Sequence, residues 1–284
     1  MKKPTFLLII LSFLLVFSLL AVGFMALRRD ITFRVCQRAA SLFRSADLGK
    51  ADIATKSVSI KSLKALSASQ MLINAEHPIP ADFEPLLSEI DGHLVSQEIA
   101  AAFTAMQNAV FAQFGEKLMI RSSYRTKAEQ EEIYGSLSDD IAAKVGASEH
   151  QIGMSLDVYI DGFTGGEILK SAAGRYLHSH AHEFGFILRY PYGKSDVTGI
   201  SYEPWHFRYV GAPHAEIIYR ESLTLEEYTL SFLEPNVYYV SSHYYISRQI
   251  PKDGYIQLPV SYESIRISLD NCGGYIVTAE QVNP

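Results

Sequence analysis

"SEHQIGMSLD", residues 148–157, decides how this chain is read. It places His150 and Asp157 seven positions apart in a polar stretch that holds a glycine. The run that follows, "MSLDVYI" (154–160), alternates polar and apolar residues as a half-buried strand does. A second stretch, "YEPWHFRYVG" (202–211), adds Glu203 and His206. Two imidazoles and a carboxylate are the ligand types of a catalytic zinc site, which keeps a fourth position open for water. Glu203 stands three residues before His206, so Pro204 must bend the chain if both side chains are to face one ion. Taken singly, a His–x6–Asp spacing is ordinary loop polarity, and a lone ExxH is no stronger.

Around these stretches the chain reads as mixed helix and strand. "SQEIAAAFTAMQNAVFAQFG" (96–115) is a helix with Ser96 as N-cap and Gly115 as C-terminal stop. "KLMIRSSYR" (117–125) is a strand entering a turn, and "TKAEQEEIYGSL" (126–137) is a helix capped by Thr126. Helices follow over 165–185 and 215–233, with short strands at 186–191 and 202–211. Beyond residue 234 the segments are rich in Tyr, Ile and Val with Pro and Gly between them, and they read as a small all-β appendix. Its tyrosines are read as packing residues in preference to a wall-binding surface.

The chain has 284 residues and a net charge of −6, so no nucleic-acid partner is expected. Cys36 and Cys272 are far apart, which rules out a disulfide framework. "HSHAH" (178–182) puts His178 and His182 on one helical face, and it is read as a solvated surface. Thr5–Leu27 is an apolar run of the length that spans a bilayer, about 20 residues. A cleaved signal sequence has a shorter apolar region, about 7–15 residues. The run therefore reads as an uncleaved membrane anchor. Lys2 and Lys3 before it and Arg28, Arg29, Arg34 and Arg38 after it leave its orientation open. The resulting plan is a tail (1–4), a transmembrane helix (5–27) in the cytoplasmic membrane, a stalk (28–67), a catalytic domain (68–233) and the β appendix (234–284).

In combination the motifs resemble one family. "SEHQIGMSLDV" is similar to the SxHxxGxAxD signature of VanY-type D-alanyl-D-alanine carboxypeptidases, zinc peptidases with a hedgehog-like fold. "YEPWHFRYVG" resembles their ExWH signature, and "RSSYRTKAEQ" (121–130) their SGYRS segment with its downstream glutamine. The resemblance runs from about Met71 to about Phe232. It implies an α+β domain with helices packed on a mainly antiparallel sheet. It also implies Zn²⁺ ligands His150, Asp157 and His206, with Glu203 as general base. Arg125 is implied to hold the substrate carboxylate or the developing oxyanion, and Gln130, Ser148 and Trp205 to line the substrate site. Ser155 replaces the alanine of the signature, an exchange expected to be harmless, and Ser123 replaces a glycine; neither removes a ligand or the base.

The implied activity is removal of the terminal D-alanine from peptidoglycan stem peptides, with a link to glycopeptide resistance. That substrate places the catalytic domain on the extracytoplasmic side of a single-pass anchor. An L,D-carboxypeptidase acting on tetrapeptide stems is the nearer alternative. A non-catalytic wall-binding module with a structural zinc is the more distant one.

Overall fold

The computed structural model describes residues 28–281 except 65, 137–142, 242 and 261–263, together with 14, 15, 18, 23 and 25. Its central layer is a four-stranded antiparallel sheet ordered β5-β6-β8-β7. The strands are β5 (Leu118–Ser122), β6 (Ser155–Ile160), β7 (Phe186–Leu188) and β8 (His206–Tyr209). Period-two alternation sends Leu156, Val158 and Ile160 of β6 to one face, where they are buried. Helix α2 (Gln97–Phe114) lays Ile99, Phe103, Met106 and Val110 on that face. Helix α4 (Ala172–His180) adds Ala173 and Leu177 to the same core. Asp157 and Tyr159 point from the opposite face, which leaves it free to carry chemistry.

Local signals set the element ends. Ser96 Oγ accepts the Glu98 N–H at 3.3 Å, and Gly115 closes α2 at φ +68°. Helix α3 (Lys127–Ser136) opens on a reciprocal pair: Thr126 Oγ1 accepts the Glu129 N–H at 3.3 Å, and Glu129 Oε2 accepts the Thr126 N–H at 2.8 Å. The helix expected over 165–185 is shorter. A 3₁₀ turn (Gly165–Lys170) precedes α4, another (Ala181–Phe184) follows it, and Gly185 ends the run. The helix expected over 215–233 is likewise split. Helix α5 (His214–Glu221) stops at Ser222, which has φ +55°, and a capped turn restarts at Leu225–Glu227.

The N-terminal segment departs from its expected role as a stalk. Helix α1 (Arg29–Ser41) packs on the Gly165–Lys170 turn, and Gln37 Nε2 donates to Ser179 Oγ at 2.6 Å. Strands β1 (Gly49–Ala51) and β2 (Thr55–Ser59) pair with strands of the β appendix. That unit is a five-stranded sheet, β1-β9-β10-β13-β12, beside the pair β11-β2. Its own strands are β9 (Tyr238–Val240), β10 (Tyr244–Gln249), β11 (Tyr255–Pro259), β12 (Ile265–Leu269) and β13 (Tyr275–Glu280). Tyr238 and Tyr239 are buried, whereas Tyr255 is exposed. Leu225 and Tyr228 share a second core with Tyr239, Ile246 and Ile276, so the β unit is fused to the end of the catalytic fold.

The membrane anchor expected over 5–27 is not upheld. Among the described residues no helix is long and apolar enough to cross a membrane. The helix nearest that run, α1, carries Arg29, Asp30, Arg34 and Arg38 within 13 residues, too much charge for a hydrocarbon core. Most of 5–27 lies outside the described residues. The single-pass topology, the membrane partner and the localisation built on them are corrected accordingly.

Candidate metal centre and catalytic site

Each of the three ligand side chains is delivered by a different local device. His150 sits in a 3₁₀ turn, Glu149–Ile152, closed by Gly153 at φ +68°. Asp157 lies on β6, and His206 opens β8 directly opposite it in the antiparallel register. Paired residues of neighbouring strands share a face, with Cβ atoms about 4.5–5.5 Å apart. The three ligand atoms lie within 4.8 Å of one another. Among the described residues this is the one cluster able to hold a metal ion.

Gly153 cannot be exchanged freely. A Cβ there would stand 2.8 Å from Ser96 N, whose N–H donates to the Gly153 carbonyl at 2.9 Å. The left-handed backbone adds about 1–2 kcal/mol for a side-chain-bearing residue. Gly153→Ala is expected to lower the melting temperature and to weaken metal binding, because the turn that aims His150 must shift. A thermal melt with and without zinc measures both effects.

The donors fit a zinc ion. His150 Nδ1 donates to the Ser123 carbonyl at 2.7 Å, which leaves the Nε2 lone pair for a metal. Nε2 is 3.5 Å from Asp157 Oδ2. His206 Nδ1 lies 3.0 Å from Asp157 Oδ1, yet the angles form no hydrogen bond, and that buried oxygen has no hydrogen-bond partner. Ligand atoms about 2.0–2.2 Å from a tetrahedral zinc stand about 3.3 Å apart, close to both separations. A cation held by these three residues would satisfy Asp157 Oδ1.

The surroundings shift the ionisation of the cluster. Burial works against a charged His206, but Asp157, Glu149 and Glu203 outweigh it and push its pKa up to about 9. Burial also works against a charged Asp157, but His150 and His206 hold its carboxyl below the usual carboxylate range. Burial pushes His150 down, against the pull of Asp157, which favours its neutral ring. A metal entering between pH 7 and 9 therefore displaces one proton, from His206. Zinc affinity is expected to rise about tenfold per pH unit between pH 7 and 8, more steeply below 7 where Glu203 also gives up a proton, and to level off above 9. Chelator competition across pH checks this, and a flat profile contradicts it.

Glu203 and Arg125 complete the cleft. The His206 N–H donates to the Glu203 carbonyl at 3.2 Å, a tight turn through Pro204 that brings both side chains to one side. Glu203 Oε2 is 3.5 Å from His206 Nδ1. Arg125 donates from Nε to Ser122 Oγ at 3.0 Å, from Nη1 to Gln130 Oε1 at 3.1 Å and from Nη2 to Asp157 Oδ2 at 3.2 Å. Gln130 is itself fixed, donating to the Ala143 carbonyl at 2.6 Å. Ser148 is buried two residues before His150. Trp205 is half-buried in the turn before β8: its carbonyl accepts from the Val158 N–H at 3.0 Å, and its ring lies near Gly165. The "HSHAH" histidines make no metal cluster. His178 Nε2 donates to the Pro204 carbonyl at 2.8 Å, and His180 and His182 stack on Tyr176 and Tyr219.

Comparison with known proteins matches residues 92–212 to the family model "VanY: D-alanyl-D-alanine carboxypeptidase". A D-alanyl-D-alanine carboxypeptidase of Enterococcus faecium is 36% identical over 191 residues, covering 65% of this chain and 61% of the relative. A crystal structure of the vancomycin-resistance D,D-pentapeptidase VanY with Zn(II) is 34% identical, with a TM-score of 0.51, and the match covers 56% of this chain and 98% of that one. The chain belongs to the VanY family. The vancomycin-resistance D,D-dipeptidase VanXYg, solved with a D-Ala-D-Ala phosphinate analogue, superposes with a TM-score of 0.68 at 25% identity, over 81% of this chain and all of that one. The chain spans less than two thirds of the length of the Enterococcus faecium relative.

The VanY match holds every ligand, Glu203 and Arg125, while α1, β1, β2 and the β unit lie outside it. Several residues around this VanY site escaped the sequence reading. Tyr190 is buried with its ring centroid 4.9 Å from that of His206. Glu149, Arg189, Arg208 and Glu226 form a buried charged cluster behind the ligands. Their partners are 37 to 59 positions apart along the chain, beyond any local spacing rule. Ser155, read as a neutral exchange, donates from Oγ to Glu149 Oε2 at 2.9 Å.

Proposed function

We propose that this chain is a zinc-dependent D,D-carboxypeptidase that removes the terminal D-alanine from peptidoglycan stem peptides. One observation carries the reading: a largely buried carboxylate, Glu203, stands 3.5 Å from a ligand nitrogen of a His–Asp–His cluster. A zinc held by His150, Asp157 and His206 would polarise the scissile carbonyl and lower the pKa of a bound water to about 7. Glu203 accepts a proton from the attacking water and passes it to the nitrogen of the departing D-alanine as the amide C–N bond breaks. An ordinary glutamic acid titrates too low to return a proton near pH 7. Burial and the Asp157 charge push Glu203 up to about 7, against the pull of His206 and Arg125. A group that shuttles protons works best with a pKa near the working pH.

Arg125 supplies the cation for the substrate's free carboxylate. Its bonds to Ser122, Gln130 and Asp157 use three of its five N–H groups, leaving one on each terminal nitrogen. The bound D,D-peptidase relatives named above support the choice of substrate. Loss of D-Ala-D-Ala termini removes the ligand of glycopeptide drugs, which ties the activity to resistance.

Mass spectrometry of products from defined penta- and tetrapeptides, with and without a chelator, tests the proposal. The expected result is loss of one D-alanine from the pentapeptide alone, abolished by the chelator. Cleavage of the tetrapeptide instead makes the chain an L,D-carboxypeptidase. Bound zinc without turnover of either peptide leaves a binding module.

A further inference from the structure

Glu149 is fully buried, and each of its oxygens has a defined task. Oε1 accepts from Arg189 Nε at 2.7 Å and lies 2.8 Å from Arg208 Nη1. Oε2 accepts from Ser155 Oγ and faces His206 Nε2 at 3.8 Å. Arg189 spends the rest of its fork on Glu226, at 2.9 and 2.6 Å. The two carboxylates and two guanidiniums cancel in charge, which is what makes their burial tolerable. Charge balance alone does not explain why Oε2 is aimed at an imidazole.

The His206 ring supplies the reason. Its Nδ1 faces Asp157 and Glu203, whereas its Nε2 is buried with no hydrogen-bond partner. An imidazole that offers the Nδ1 lone pair to a cation carries its proton on Nε2. A buried N–H needs an acceptor. Glu149 Oε2 faces it at 3.8 Å, about 1 Å beyond the usual N–H···O distance of about 2.9 Å, and it is the carboxylate oxygen placed to become that acceptor.

We infer that Glu149 is a positioning residue for the metal centre. Its carboxylate holds His206 in the tautomer and orientation that turn Nδ1 toward the ion, and Arg189, Arg208 and Ser155 hold Glu149 in place. Glu226 pairs with the other two nitrogens of Arg189, at the remote end of the cluster. This inference rests on the zinc reading of the cluster. It is tested by metal binding and not by peptide turnover, so failure of the D,D assignment leaves it standing.

The experiment uses the full chain, with zinc affinity from chelator competition, the visible spectrum of the cobalt-substituted protein, and a thermal melt of each variant. Glu149→Gln is expected to weaken zinc about 10–100-fold, the usual effect of losing the group that orients a ligand, and to alter the cobalt spectrum. Ser155→Ala, a milder change that leaves every charge in place, is expected to weaken zinc a few-fold with an unchanged melt. Glu226→Gln breaks the same buried cluster at its remote end. It is expected to lower the melting temperature while shifting zinc affinity by less than about threefold, because Glu149 keeps Arg189, Arg208 and Ser155. If Glu149→Gln does not fold, Ser155→Ala and its cobalt spectrum decide. Unchanged zinc affinity in both site variants overturns the inference. Equal zinc loss in Glu149→Gln and Glu226→Gln at equal loss of melting temperature also overturns it, by reducing Glu149 to a structural ion pair.

Discussion

Glu203→Gln is expected to lower kcat about 10²–10⁴-fold while zinc affinity falls far less. The amide is nearly isosteric and keeps a hydrogen-bonding oxygen, so the cleft retains its shape. It cannot take a proton from water or return one to the leaving nitrogen. The same residue sets the acidic side of the pH profile. Glu203 works as a base only when ionised, so activity is lost as pH falls through its pKa. In the metal-free cleft that value is about 7, and the charge of bound zinc moves it lower. The acidic limb of kcat/KM therefore lies below pH 7 in wild type and is absent from the residual rate of Glu203→Gln. A variant with wild-type kcat removes Glu203 from the chemistry.

Asp157→Asn is expected to cost more in metal binding than any orienting residue, beyond about 100-fold in zinc affinity, and to abolish turnover. Asp157 is the hub of the site. Its Oδ1 faces His206, and its Oδ2 faces His150 and accepts from Arg125. The amide removes the negative charge opposite the cation and leaves Arg125, which is largely buried, without its carboxylate partner. It also removes a main cause of the raised His206 pKa, so the residual zinc affinity should depend less steeply on pH than in wild type. Circular dichroism should show a folded protein, because the sheet register rests on backbone pairing and on Leu156 and Val158. Tight zinc binding by this variant would mean that the ion sits elsewhere.

Both arguments start from residues that a single sequence makes visible. The alternation of "MSLDVYI" separates Asp157 from the core-facing Leu156 and Val158. Ser96, Thr126 and Gly115 mark helix ends by chemistry confined to a few neighbouring residues. The resemblance of the arginine, histidine–aspartate and glutamate–histidine stretches to the VanY motifs nominated the ligands. Trp205 shows where that reasoning stops. It adjoins His206 in a shared motif, yet it lies in the turn before β8, half-buried with its ring near Gly165, and the motif alone does not say which way that ring faces. The apolar run at 5–27 was read from length and hydropathy alone, and no helix among the described residues bears it out.

What the chain determined by itself was local: where strands alternate, where helices begin and stop, and which residue types could hold an ion. Those features depend on neighbours within one turn or one strand, so they survive without any knowledge of the fold. Tertiary structure alone decided that β1 and β2 pair with C-terminal strands, that Tyr190 packs beside His206, and that Glu149 lies 3.8 Å from His206 with Arg189 behind it. These are pairings between distant segments. They form because a buried charge or strand edge must find a partner, and which partner it finds is a property of the packed molecule.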